Sequence, residues 1–177
     1  MSVIRPCRED ERSDILGIIN AAAAAYRGVI PADRWHEPYM TSEELDAEIA
    51  GKVVFWGYEE DGALVGVMGI QGVRDVDLIR HAYVEPSRQR HGIGAALAEH
   101  LRNLSARRML VGTWAEATWA IGFYRRHGFE LVSRECATEL LNTYWTISDR
   151  QIETSVVLAN PPLPRIQPRA GASPDCV

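Results

Sequence analysis

The chain has 177 residues, 46% of them hydrophobic and 24% charged, with a formal net charge of −5. That size and composition suit one domain with a core large enough to fold alone, and the acidic balance argues against a nucleic-acid partner, which calls for a basic face. No stretch is long and apolar enough to span a bilayer, so no membrane partner is expected, and the N-terminus "MSVIRPCRED" lacks the pattern of a signal peptide. Cys7, Cys136 and Cys176 have no metal-ligand spacing; they read as reduced thiols in a cytoplasmic protein, with no metal site.

In chain order, "VIRPC" at residues 3–7 predicts a short strand. Ile15, Ile18, Ile19, Ala22 and Tyr26 then recur at helical spacing, and Gly28 and Pro31 end that helix. Residues 29–40, "VIPADRWHEPYM", form a loop carrying Trp35, His36, Glu37 and Tyr39. Thr41 followed by Glu44 has the capping-box spacing and starts a second helix, which Gly51 stops. "KVVFWGYEE", "ALVGVMGIQG" and "VDLIRHAYVEP" predict three strands, the first two joined by an Asp61-Gly62 hairpin turn.

A third helix has Ile93, Leu97, Leu101 and Leu104 on one face. "RMLVGTW" predicts a strand, "ATWAIGFYRRHGF" a helix closed by Gly128, "FELVS" a short strand, "TELLNTYW" a helical turn or short helix, and "QIETSVVLA" a last strand. The domain is expected over residues 1–159, and the proline-rich stretch 160–177 reads as a flexible tail. The order of elements predicts an α/β fold, a mixed sheet with helices on both faces.

Chemistry concentrates in "SRQRHGIGAAL", residues 87–97, where a strand passes through a glycine turn into a helix. A helix N-terminus offers unpaired N–H groups to an anion, and glycines allow close backbone approach. A Walker loop requires Gly-Lys-Ser/Thr, which is absent, and a dinucleotide fingerprint requires a third glycine where Leu97 stands. By itself the stretch leaves two readings open, an anion site and a solvated glycine turn.

Two motifs carry a family resemblance. Gln89-Arg90-His91-Gly92-Ile93-Gly94 fits Gln/Arg-x-x-Gly-x-Gly/Ala, and "EATWAIGFYRRHGFELV" at residues 116–132 carries Ala120, Phe123, Tyr124, Gly128 and Phe129 in the order of a later helix motif. Together they resemble the GNAT-type N-acetyltransferases over roughly residues 3–158. The resemblance implies a mostly antiparallel central sheet with a splayed central strand pair, and acetyl-CoA as acyl donor to a small-molecule or peptide amine. It implies that backbone groups of Ala82, Tyr83 and Val84 hold the pantetheine arm as an added strand would. Backbone N–H groups of Gln89, Arg90, His91, Gly92, Ile93, Gly94 and Ala95 would hold the pyrophosphate. Tyr124 would give a proton to the departing thiolate. A homodimer is common among such proteins, though no residue here fixes one.

The sequence departs from the pattern at three places. The family often carries a general base on the central strand at positions occupied here by Leu78 and Arg80, and Ala117 replaces a common asparagine. Strand alternation predicts 78, 80, 82 and 84 on one face, with His81 turned away; a bulge would reverse that. Arg80 reads either as a contact for an acidic group on the acceptor or as half of a salt bridge with Asp77 or Glu85. Trp35 is the aromatic expected to touch the acceptor. The missing base keeps a second reading alive, a non-catalytic acyl-CoA sensor of the same fold.

Overall fold

The computed structural model describes residues 1–164, so most of the 160–177 tail expectation lies outside the described residues. The chain divides into two compact units, Met1–Arg107 and a second beginning at Arg108.

The first unit is a four-stranded antiparallel sheet in the order β1-β2-β3-β4: β1 Ser2–Pro6, β2 Val54–Glu60, β3 Ala63–Val73 and β4 Val76–Val84. Three helices pack on it: α1 Arg12–Ala23, α2 Ser42–Ala50 and α3 Ile93–Leu104. Asp61 (φ 50°) and Gly62 (φ 86°) close the β2–β3 hairpin with two left-handed residues, as the Asp-Gly pair predicts. The capping box is present. Thr41 Oγ1 accepts from the Glu44 N–H at 3.2 Å, and the Glu44 carboxylate accepts from the Thr41 N–H at 2.8 Å.

Ile15, Ile18 and Ile19 of α1 and Leu45 of α2 share a core with Val53, Phe55 and Val67, which places both helices on one face of the sheet. Helix α3 takes the other face, with Ile93, Leu97 and Leu101 buried; Leu104 departs from expectation at 51% exposure, since the helix ends there. A Cβ built on Gly66 of β3 would lie 2.8 Å from Ile93 Cγ2, so only a glycine lets α3 sit this close to the strand.

The second unit has strands β5 Arg108–Trp114, β6 Glu130–Leu131 and β7 Ser155–Asn160, with β7 pairing antiparallel to both others. Its helices are α4 Thr118–Arg126, α5 Arg134–Tyr144 and α6 Asp149–Thr154. The helical expectation for "TELLNTYW" is borne out and extended, and one strand expectation is corrected. "TELLNTYW" belongs to a full helix, α5, capped by Ser133 Oγ on the Cys136 N–H. The first half of "QIETSVVLA" is helical because Ser148 caps α6, and the strand starts only at Ser155. The thiol expectation holds for Cys7, which is free.

Candidate active site

The glycine stretch folds as its sequence suggests. Val84 ends β4, residues Pro86–Arg88 make a 3-10 turn, and Gly92 is the N-cap of α3 with φ 81°. Arg90 is also left-handed, at φ 63°. Gly92 C=O accepts the first helical bond, from the Ala96 N–H at 2.9 Å. The N–H groups of Ile93, Gly94 and Ala95 lie ahead of that bond, in the first turn, where positive dipole ends collect. Gln89 Nε2 donates to Val84 C=O at 3.1 Å, and His91 Nδ1 lies 2.8 Å from Gln89 C=O, so the loop is braced by its own side chains. Of its cations, Arg88 is paired with Glu60, while Arg90 and His91 stay exposed.

Strand β4 carries a bulge. Val67 of β3 faces Tyr83 and Gly69 faces Arg80, so Met68 alone spans the stretch that His81 and Ala82 span on β4. His81 adopts φ 49°, a left-handed conformation uncommon for a side-chain-bearing residue. The bulge overturns the simple alternation: Leu78, Arg80 and Tyr83 share the face of β3 residues Gln71, Gly69 and Val67, whereas Val84 joins Gly66 on the α3 face. His81 is not turned away. Its ring stacks on buried Phe55 with centroids 6.0 Å apart, and its Nε2 lies 3.2 Å from Glu48 Oε2 on α2.

Arg80 resolves to an ion pair, with partners other than those anticipated. Its Nη2 donates to Glu48 Oε1 at 2.9 Å and its Nη1 to Gln71 Oε1 at 2.7 Å. Glu48 thus sits between two basic groups. Burial pushes its carboxyl upward, but the hydrogen bond and charge of His81 and the charge of Arg80 outweigh that and hold it below the usual carboxylate range. Leu78, at the other expected base position, is wholly buried.

An aromatic wall extends from the bulge to the loop before α2. Tyr83 meets Tyr26 edge-on at 6.3 Å and Tyr39 edge-on at 6.2 Å, and Tyr39 packs on Trp35 at 5.7 Å. Arg27 lies over the Trp35 ring at 5.6 Å and pairs with Glu37. Asn20 of α1 clamps the end of this loop, its Nδ2 donating to Met40 C=O at 2.9 Å and its Oδ1 accepting from Met40 N–H at 2.8 Å.

In the second unit Tyr124 lies on the buried side of α4, edge-on to Phe129 at 5.5 Å and to Phe123 at 5.1 Å. Gly128 has φ 87°, the left-handed turn that ends the helix and lets Phe129 fold back onto it. Ala117 is fully buried at the N-cap of α4, and Trp119 is exposed.

Sequence reasoning missed Glu48, Gln71, Asn20 and Tyr26. Glu48 did carry a signal: with Leu45 and Ile49 it falls on the inward stripe of α2, where a carboxylate requires a partner.

A model of the Acetyltransferase (GNAT) domain matches residues 51–131. The chain is 30% identical over 99 residues to the peptidyl-lysine N-acetyltransferase YiaC of Escherichia coli, over 56% of this chain and 65% of that protein. The match therefore spans just under two thirds of this curated relative. Among solved structures, the PaiA N-acetyltransferase of Thermoplasma acidophilum in complex with coenzyme A superimposes with a TM-score of 0.67 at 16% identity, over 90% of this chain and 98% of that one. A GNAT-family acetyltransferase of Brucella melitensis in complex with acetyl-CoA gives 0.55 at 26% identity, over 73% and 83%. The ribosomal-protein-S18-alanine N-acetyltransferase of Escherichia coli gives 0.63 at 17%, over 98% and 99%. The stretch matched by the domain model takes in the glycine loop and most of the Tyr124 motif, the two features that carry the resemblance.

Proposed function

We propose that this protein is an acetyl-CoA-dependent N-acyltransferase that moves an acetyl group to a primary amine by direct attack. The observation that carries the reading is the left-handed Gly92 at the foot of α3, inside the sequence Gln89-Arg90-His91-Gly92-Ile93-Gly94. In this reading, N–H groups of residues 89–95 hold the pyrophosphate, and the backbone of Ala82, Tyr83 and Val84 holds the pantetheine arm. Attack by the amine nitrogen on the thioester carbon forms a C–N bond and an oxyanion. Collapse breaks the C–S bond, and the phenol of Tyr124 protonates the thiolate.

The acceptor lies toward the aromatic wall, with Trp35 as a contact. Arg80 is engaged with Glu48 and Gln71, which favours a role in shaping this face over direct capture of an acidic acceptor. The curated relative's name supplies the first acceptors to try, lysine side chains in peptides. The cytoplasm is the proposed setting, on the grounds of the sequence alone.

The test is release of free CoA from acetyl-CoA across a panel of lysine peptides, free N-termini, polyamines and small amines, paired with CoA binding by calorimetry. Turnover on one acceptor class supports the transferase. The sensor reading is favoured by one observation, the wholly buried Leu78 beside an ion-paired Arg80 at the two expected base positions. Tight CoA binding without turnover on every amine would decide for it.

A further inference from the structure

An alkylammonium acceptor must lose a proton before its nitrogen can attack, because a lysine-like amine with pKa near ~10.4 is almost wholly protonated at pH 7. The two strand positions first considered for that task hold Leu78 and Arg80. Leu78 has no basic group, and the guanidinium of Arg80 is already a cation tied to Glu48 and Gln71. We infer that the bulge in β4 replaces them, by placing His81 on the acceptor face as the base that deprotonates the ammonium, with Glu48 as its positioning residue. The inference rests on the transferase reading and names a group that performs one step of it.

Four observations support it. The bulge and the φ of 49° rotate His81 out of strand alternation and onto the face it shares with Arg80, and a non-glycine residue held in that conformation is characteristic of functional sites. The ring is fixed between two groups, stacked on Phe55 and 3.2 Å from the Glu48 carboxylate. Nε2 is sealed from solvent 3.2 Å from that carboxylate, while the side chain as a whole keeps 16% of its surface exposed. A carboxylate beside Nε2 favours the tautomer with the proton there, which leaves the lone pair on Nδ1. Among the described residues Nδ1 has no hydrogen-bond partner. The charged groups facing the ring are Glu48 from α2 and Arg80 from its own strand. They are paired with each other, so the ring gains a proton beside a nearly neutral pair rather than beside a bare cation.

The protons balance as follows. The ammonium gives one proton to His81 Nδ1, which passes it to solvent. The freed lone pair forms the C–N bond. The tetrahedral nitrogen loses its second proton as the C–S bond breaks, and the thiolate leaves protonated. The products are the amide, CoA and one proton in solution.

The experiment compares the unaltered chain with His81→Asn and Glu48→Gln. Asparagine tolerates the left-handed backbone, so the bulge is kept. The proposal expects kcat/KM for a lysine peptide to fall about 100-fold at pH 7 in His81→Asn, with CoA affinity unchanged and the deficit shrinking toward pH 10. A weakly basic primary amine, already neutral at pH 7, should restore most of the rate. Glu48→Gln should shift the acidic limb of the rate profile to lower pH, since removing the carboxylate destabilises the imidazolium. A deficit in His81→Asn that is equal at every pH, or a rate within two-fold of the unaltered chain, would overturn the role of His81 and leave the transferase reading standing. Failure of the unaltered chain to acetylate any amine would overturn both. If His81→Asn does not fold, the weakly basic amine and the Glu48→Gln profile decide: an unmoved acidic limb overturns the assignment.

Discussion

Gly66 and Ile93 touch so closely that a Cβ on the glycine would sit 2.8 Å from Ile93 Cγ2. This contact seats the first turn of α3, and with it the proposed pyrophosphate cradle, against strand β3. Gly66→Ala should therefore act twice. Overpacking should cost about 1–3 kcal/mol of stability, read from the urea midpoint at unchanged m. CoA should also bind more weakly by calorimetry, as the N–H groups of Ile93 and Gly94 shift outward.

Gly92 separates backbone strain from crowding. A Cβ there meets nothing within 4 Å, yet φ is 81°. Gly92→Val should strain the loop by about 1–2 kcal/mol and weaken CoA binding, whereas Gly92→Asn, at home in the left-handed region, should keep most of the affinity. Equal loss in both variants, or no loss in either, would count against a backbone cradle at this site.

Tyr124→Phe preserves the ring packed against Phe123 and Phe129 and removes only the hydroxyl. Turnover should drop about 100-fold if the phenol protonates the thiolate, with CoA affinity and thermal midpoint little changed. An undiminished rate would reduce the residue to packing.

Glu11 supplies a pH prediction for stability. Hydrogen bonds from Arg5, at 2.6 and 2.9 Å, outweigh the effect of burial and lower its carboxyl to about 2. A depressed folded-state value means the stabilisation is complete above the unfolded value, near ~4.3, and is lost as pH falls toward 2. Glu11→Gln should cost about 2 kcal/mol at pH 7 and flatten the stability-versus-pH curve below pH ~4.3, both measurable by denaturant titration.

How much was legible beforehand depended on whether a signal was local. Thr41 and Glu44 cap each other across one turn, and Asp61-Gly62 is its own hairpin, so both could be read from spacing alone. The bulge at His81 could not: it is a mismatch between the register of β4 and that of β3, and nothing in "IRHAYV" states it. The partnership of Arg80 with Glu48 depends on where α2 lands, 32 residues earlier in the chain, and proximity in sequence pointed instead to Asp77 and Glu85. Helix α6 escaped for the opposite reason. Ser148 is a local cap, but the apolar residues after it favoured a strand, and the boundary fell inside one apparent element.

The clamp of Asn20 on both backbone groups of Met40 closes the loop before α2 at its base. The clamp fixes the end of the loop one residue before the Thr41 cap of α2, and Tyr39 beside it packs on Tyr83 of β4. Acceptor preference can then be rewritten in this segment as an exchangeable cassette, while the glycine turn and the bulged strand keep their geometry. Transplanting such a loop from a relative should transfer amine selectivity only when the asparagine at its base travels with it or is already there.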